Sequence, residues 1–171
     1  MSTGKHREIE RKYLVRYPNL ETLQAQPGVE RWEIVQIYLS SGENGETRRI
    51  RQVVCDGNIK YYRTFKRRLT DLSAEEDERE ITPVEYFEYA KEQAAGTRPV
   101  VKTRYRIPYG GHTLEFDIYP FWDDRAILEI ELGSEREGAQ IPEYAQIIRD
   151  VSGDYAYKNS QLAFEVPMEK I

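Results

Sequence analysis

The chain has 171 residues, of which 39% are hydrophobic and 32% charged, and its formal net charge is −5. This length predicts one core and a single domain spanning residues 1–171. No apolar run approaches the roughly 18–20 residues of a membrane span, and the N-terminus lacks a signal-peptide core, which predicts a cytoplasmic protein without a membrane partner. Acids and bases alternate in short blocks, which argues against a nucleic-acid partner. The lone Cys55 excludes an internal disulfide.

The first predicted strand covers residues 8–15. Side chains alternate between the two faces of a strand, so Glu8, Glu10 and Lys12 share one face and Ile9 lies on the other. A single charged face is usually just the solvated side of a sheet. The same charged face recurs, however, in most of the strands that follow.

A short helix capped by Asn19 separates this strand from the next group. Further strands are predicted at residues 33–40, 46–54 and 59–68. The turns between them are Gly42-Glu43-Asn44-Gly45 and Asp56-Gly57-Asn58, both of which are typical of hairpins. In this region Arg49 and Arg51 share one strand face, and Lys66 extends the charged face of the following strand.

The acidic run at residues 73–81 places Glu76, Glu78 and Glu80 at a spacing of two. Such a run is usually a solvated loop. Here it lies between a predicted strand and a helix that begins with the capping box at residues 82–85, which favours a strand instead.

The apolar face of that helix is predicted at Phe87, Ala90 and Ala94. A last helix is predicted after Pro142. Its apolar side would carry Tyr144, Ile147, Ile148 and Val151.

Three more strands are predicted at residues 100–109, 112–119 and 126–132. Their charged faces carry Lys102, Arg104, Arg106, Glu115, Asp117, Glu129 and Glu131. Eight strands joined by hairpin turns predict an α+β fold built on an eight-stranded antiparallel β-barrel, with helices packed outside and at the C-terminal end. The helices would cover the apolar faces, so the charged faces would line the lumen. An ordinary barrel with its charges facing the solvent is the alternative.

A lumen of this kind would hold both signs of charge. The cations are Lys12, Arg49, Arg51, Lys66, Lys102 and Arg104, and the anions are Glu8, Glu10, Glu78, Glu80, Asp117, Glu129 and Glu131. Lys and Arg match phosphate oxygens, whereas carboxylates are suited to Mg²⁺ or Mn²⁺. A polyanion with a divalent metal fits this inventory best, since buried unpaired ions are costly.

These residues resemble the CYTH domain, also called the triphosphate tunnel metalloenzyme family. The resemblance is carried by Glu8-Ile9-Glu10-Arg11-Lys12, Arg49-Ile50-Arg51, Thr64-Phe65-Lys66, Glu78 with Glu80, Lys102 with Arg104, Asp117, Glu129-Ile130-Glu131 and residues 158–163, in the family's order. It covers essentially the whole chain. It implies an eight-stranded tunnel in which the six cations bind a triphosphate and the seven acids bind metal and position water, with Glu78 and Glu80 in an uncertain register.

The activity that the resemblance implies is phosphoryl transfer to water with Mg²⁺ or Mn²⁺. Glu10 belongs to the group that positions metal and water, and Lys12 or Lys158 would stabilise the charge on the departing pyrophosphate or nucleoside diphosphate. Inorganic tripolyphosphate is the favoured substrate, because no clear nucleoside pocket is visible in the sequence. Trp32 and Trp122 are candidates for contacting an organic group, although packing beneath a helix is the commoner role of such residues.

Three other functions remain open. A class IV adenylate cyclase or a nucleoside or thiamine triphosphatase would use nearly the same residues, and a non-catalytic module would bind polyphosphate or a nucleotide without turning it over. The partner is in every case a small-molecule triphosphate. A homodimer would have to form through the outer helices, because a closed barrel leaves few free strand edges.

Overall fold

The computed structural model describes residues 4–40 and 45–171. Within them the chain forms the strands β1 (Gly4–Arg16), β2 (Glu30–Tyr38), β3 (Thr47–Cys55), β4 (Asn58–Arg68), β5 (Ser73–Ile81), β6 (Val100–Tyr109), β7 (His112–Ile118), β8 (Arg125–Glu131) and β9 (Ile147–Asp150). The helices are α1 (Leu20–Gln24), α2 (Pro83–Ala90) and α3 (Asn159–Leu162). All of these described helices are too short to span a bilayer. Gly42, Glu43 and Asn44 of the first predicted hairpin turn lie outside the described residues.

The first eight strands close into an antiparallel barrel, as predicted. Their order is β5-β4-β3-β2-β6-β7-β8-β1, and β1 also pairs with β5, which joins the two ends of the sheet. β1 makes this closure with different parts of its length. Residues from Gly4 to Ile9 pair with β5, and residues from Glu10 to Arg16 pair with β8.

Alternation along β7 and β8 places apolar side chains outside and charged side chains inside, whereas Trp32, Ile34, Val53 and Tyr62 form an apolar cluster on the inner face of β2, β3 and β4. Leu114, Phe116 and Leu128 point outward from β7 and β8 and pack with Leu23 of α1. The segment after β8 completes this cover with Ala145. Because the outer face is covered by protein, the charged face lies in the lumen.

Local sequence signals explain the hairpin between β3 and β4. Asp56 and Gly57 have φ angles of 48° and 77°, the left-handed conformation that a two-residue hairpin turn requires. Asp is among the few side chains that tolerate this conformation, and Gly adopts it at no steric cost. The turn therefore sets the register in which Cys55 pairs with Asn58.

Both early helices begin where the sequence predicts. The Asn19 side chain accepts a hydrogen bond from the Thr22 amide, and Thr82 and Glu85 form the reciprocal capping box of α2. The predicted apolar face of α2 is wrong at Phe87 but correct at Ala90, which packs against the cluster that contains Ile50. The buried residue of α2 is Tyr86, which packs against Ile50 of the barrel, while Phe87 is 61% exposed.

The helix predicted after Pro142 is also wrong, because residues 147–150 form β9. The pairing between β1 and β5 ends at Ile9, so the same edge of β1 has free backbone groups at Tyr13 to Val15. β9 satisfies these groups in an antiparallel pairing. The backbone amide of Val151 extends the contact by donating to the carbonyl of Lys12. The unpaired strand edge thus overrides the helical spacing of apolar residues.

The C-terminal segment packs over one end of the barrel. Tyr157 and Leu162 join Leu14, Tyr119 and Ile127 in a buried cluster. This packing also places the residues from 158 to 160 beside the lumen.

Candidate active site

The lumen of the barrel contains a charged cavity of about 560 Å³. Among the described residues that line it are nine Lys or Arg side chains and eight Glu side chains. The basic ones are Lys12, Arg49, Arg51, Lys66, Arg68, Lys102, Arg104, Arg106 and Lys158, and the acidic ones are Glu8, Glu10, Glu46, Glu76, Glu78, Glu115, Glu129 and Glu131. The near balance of the two signs suits a ligand that itself carries both, such as a metal-bound polyanion.

Strand pairing brings the acidic residues of β1 and β8 together. Glu10 lies opposite Glu131, and Lys12 lies opposite Glu129. Alternation then places Glu8 on the same face of β1. Carboxylates from sequence positions more than 100 residues apart therefore face one region of the cavity.

The cations come mainly from β3, β4 and β6. Arg51 is 4% exposed, and its Nη2 lies 3.1 Å from Glu78 Oε2. Lys66 Nζ lies 2.6 Å from Glu8 Oε2. Arg104 Nη2 lies 3.3 Å from Glu129 Oε2. Each of these cations is thus held by a carboxylate that also lines the cavity.

Asp117 differs from the other predicted acids because it is fully buried and does not line the cavity. Its Oδ2 accepts hydrogen bonds from Lys102 Nζ at 2.8 Å and Arg104 Nη2 at 2.9 Å, and its Oδ1 accepts one from Arg104 Nε at 2.7 Å. Both oxygens are engaged by cations, so the structure does not support the predicted role as a metal ligand. Asp117 orients the two cations from behind.

The acidic pair of β5 that faces the cavity is Glu76 with Glu78, and not Glu78 with Glu80. All three share one face of the strand, as predicted. Glu80 lies at the end of that face, where its side chain is 55% exposed and 3.9 Å from Lys60. The structure therefore places Glu80 outside the lining of the cavity, which does not support its predicted metal-binding role.

The surroundings of the cavity shift the pKa values of its carboxyl groups in opposite directions. Burial, together with the charges of Glu129 and Glu8, raises the pKa of Glu10 well above its ordinary value. Burial and the charge of Glu8 raise the pKa of Glu76 to about 7. Burial alone would also raise the pKa of Glu129, but Lys12 and Arg104 lower it far below its usual range. Such divergent values are typical of functional sites.

Two comparisons found no match, since no family model and no curated protein is similar to the chain. Solved structures do match. A structure of the inorganic triphosphatase NE1496 is 26% identical over 98% of this chain and 98% of that chain, with a TM-score of 0.57. A structure described as the hypothetical protein NE1496 is 27% identical over 94% of this chain and 99% of that chain, with a TM-score of 0.57.

The putative adenylyl cyclase HpAC1 from Hippeastrum, described as having a dominant triphosphatase activity, is 18% identical over 74% of this chain and 80% of that chain, with a TM-score of 0.50. At this identity it shows the shared fold alone. The chain has a CYTH-like tunnel fold. The resemblance drawn from the ordered motifs is confirmed, and so is the predicted barrel with its charged lumen.

A divalent metal fits the acidic side of this CYTH tunnel. Burial and the charges of Glu129 and Glu8 disfavour ionisation of Glu10, and a divalent ion would relieve that repulsion. Glu129 Oε1 is buried and accepts no hydrogen bond within the described chain. No three acidic, His or Cys side chains of the described residues already form a metal cluster. The fit therefore depends on the oxygen donors of Glu8, Glu10, Glu129 and Glu131.

Lys158 lies at one end of the CYTH tunnel with Asn159, Ser160 and Tyr155. Burial and the neighbouring charge of Arg68 lower its pKa. Arg68 was not predicted as a site residue, although it lies two positions after Lys66 and therefore on the same face of β4. Glu76 follows from the same rule, because it is in phase with Glu78.

The two tryptophans pack in the protein interior. Trp32 is 7% exposed and lies beneath the Arg106 guanidinium, 4.5 Å from the ring centre. Trp122 is 4% exposed, and its Nε1 donates to the Pro167 carbonyl at 2.9 Å. Neither residue lines the cavity, whereas Tyr38 does.

Proposed function

We propose that this protein hydrolyses the terminal phosphoanhydride bond of inorganic tripolyphosphate, using Mg²⁺ or Mn²⁺, inside the CYTH tunnel. The observation that carries the proposal is the cavity itself, in which cations from β3, β4 and β6 face carboxylates from β1 and β8. The similarity to the inorganic triphosphatase NE1496 along nearly the whole chain supports the same activity.

The first part of the proposed mechanism is binding of the polyanion. Arg49, Arg51 and Arg104 offer guanidinium forks that match phosphate oxygens, and Lys66 and Lys102 add compact charges. Charge on the phosphoryl oxygens is thereby neutralised by groups that the barrel already holds in place. Preorganised charges of this kind supply most of the rate in phosphoryl transfer.

The second part concerns water and metal. Glu8, Glu10, Glu129 and Glu131 would hold the divalent ion, which when bound neutralises phosphate charge and lowers the pKa of water. Glu10 also lines the cavity opposite Glu131, where its carboxylate can accept a hydrogen bond from the attacking water. We assign it to water positioning for this reason.

The third part concerns the leaving group. Lys12 Nζ lies 3.6 Å from Glu129 Oε1, where it can contact phosphate beside the acidic residues. Lys158 lies at the end of the cavity. Both lysines would stabilise the negative charge that accumulates on the departing pyrophosphate.

The choice of an inorganic substrate is supported by the burial of both tryptophans. Trp32 and Trp122 are enclosed by protein, so neither offers a free ring face to a base or to thiamine. A triphosphate needs only the charged lining, which is what the cavity provides.

The decisive experiment measures phosphate release from tripolyphosphate, ATP and thiamine triphosphate with Mg²⁺ and with Mn²⁺. We expect the fastest release from tripolyphosphate. Incubation with ATP and Mn²⁺ separates the remaining functions, because a cyclase forms cyclic AMP and a triphosphatase forms ADP and phosphate. Tight binding of tripolyphosphate with no release in any divalent ion would overturn the proposal in favour of a binding module.

A further inference from the structure

The ion pair between Glu8 and Lys66 has a consequence for ligand selection. Glu8 Oε2 lies 2.6 Å from Lys66 Nζ, and Glu76 Oε2 lies 3.7 Å from the same ammonium. The two side chains of the short pair are 18% and 17% exposed and line the cavity. Each therefore remains within reach of a ligand while it is bound to the other.

This pair differs from the contacts of Asp117. Asp117 is fully buried behind the cavity wall, so its bonds to Lys102 and Arg104 persist when a ligand enters. Glu8 and Lys66 instead belong to the two groups that we assign to opposite ligands. Glu8 belongs to the metal-binding group, and Lys66 belongs to the phosphate-binding group.

A single ligand breaks this pair at a cost. A free triphosphate that takes Lys66 leaves Glu8 without its cation in a buried site that already holds Glu10 and Glu129. A free metal ion that takes Glu8 leaves Lys66 without its short carboxylate contact. Breaking one side of a buried ion pair is unfavourable, because the remaining charge loses its nearest partner; for Lys66, Glu76 at 3.7 Å offsets part of this loss.

A metal-bound triphosphate avoids both costs, since the metal compensates Glu8 while the phosphate compensates Lys66. We propose that the Glu8–Lys66 ion pair makes the tunnel select the metal-complexed triphosphate against both the free anion and the free metal. This inference rests on the proposed function, and it adds that the pair sets specificity through mutual exclusion of the separate ligands.

The test is a titration calorimetry experiment on the full chain with three probes: Mn²⁺ alone, tripolyphosphate alone in chelator, and the equimolar Mn²⁺–tripolyphosphate complex. We expect Lys66→Met to bind Mn²⁺ alone about tenfold more tightly than the unmodified protein, because Glu8 is released. We expect Glu8→Gln to bind metal-free tripolyphosphate about tenfold more tightly, because Lys66 is released. Both variants should bind the complex more weakly.

The matched control is the Arg67–Glu75 ion pair, which joins β4 to β5 at the same distance of 2.6 Å but has both side chains 53% exposed. Arg67→Met and Glu75→Gln change the net charge by the same amount outside the cavity. Their affinities for the three probes should change less than about twofold, because exposed charges are screened. Equal gains in the control variants would assign the effect to net charge and overturn the inference.

The failure of this inference is distinguishable from the failure of the proposed function. Phosphate release by the unmodified protein, together with unchanged or weaker single-probe binding in Lys66→Met and Glu8→Gln, overturns the selection mechanism alone. An unmodified protein that neither binds the complex nor releases phosphate overturns both. If Lys66→Met does not fold, Lys66→Gln and the independent Glu8→Gln titration decide the question.

Discussion

Neighbouring residues fix the position and shift the pKa of individual residues in the cavity. Lys102 is 1% exposed, and Asp117 fixes its ammonium from behind at 2.8 Å. Glu10 is set among carboxylates instead, and its pKa moves up. Burial and the neighbouring charges therefore set the direction in which the pKa of each residue shifts.

Replacement of Lys12 by Met should lower kcat for tripolyphosphate by about 10²–10³-fold, the usual effect of losing one preorganised stabilising group. The Lys12 side chain is 11% exposed and lies among buried acids, so solvent screens its charge only weakly. Lys158→Met should cost only about tenfold, because its site at the cavity end is more exposed to solvent. Single-turnover phosphate release measures both. Unchanged turnover in Lys12→Met would contradict its assignment to the leaving group.

The activity should fall as pH rises through about 8, because burial lowers the pKa of Lys102 to about 8 in spite of the attraction of Asp117. Below that pH the ammonium is charged and can bind phosphate, and above it the amine is neutral. The pH profile of kcat/KM for tripolyphosphate reports this free-protein group. Lys102→Arg should lose the descending limb, since guanidinium stays charged. A limb that persists in this variant belongs to another group.

At the scale of elements, alternation along strands predicted most of the site. Glu8, Glu10 and Lys12 share a face of β1 because side chains alternate in any strand. The run from Glu75 to Glu78 is acidic at every position, so composition could not tell which members face inward. The pairing with β4 places Lys66 opposite Glu76, and it thereby determines which of these acidic side chains face the cavity.

Elements shaped by distant contacts were the ones mispredicted. The spacing of Tyr144, Ile147, Ile148 and Val151 is typical of a helix. β9 forms instead because β1 has a free edge. Asp117 looked like its neighbours on other strands, and only the converging Lys102 and Arg104 reveal that its oxygens are occupied. Neither feature is encoded in local sequence.

The packing of α2 gives a direct comparison between adjacent aromatic residues. Tyr86→Ala should destabilise the protein by about 3–5 kcal/mol, since it removes a large buried side chain that packs on the barrel. Phe87→Ala should change the free energy of unfolding by less than about 0.5 kcal/mol, because Phe87 is 61% exposed. Urea unfolding of the two variants measures the difference. A larger loss in Phe87→Ala would place the helix on the barrel by its other face.

At the scale of the whole molecule, a ligand that binds the folded barrel and not the unfolded chain stabilises the protein. Tripolyphosphate with Mg²⁺ or Mn²⁺ should therefore raise the melting temperature. At a free ligand concentration of 100 times Kd, the free energy of unfolding should increase by about 2.7 kcal/mol. The gain should shrink at high salt, since charge pairing drives the binding. Thermal unfolding at two ionic strengths measures both effects. Equal stabilisation by inorganic sulfate alone would argue against a site built for a polyphosphate chain.

The closure of the barrel by β1 carries a consequence for synthesis of the chain. β1 leaves the ribosome long before its partner β8, which begins at Arg125, so the ring stays open until β8 has emerged. During that interval β1 presents unpaired backbone groups that can template association with another nascent chain. Closure of the barrel should therefore be slow, and β1 should need protection from other chains until β8 is available to pair with it.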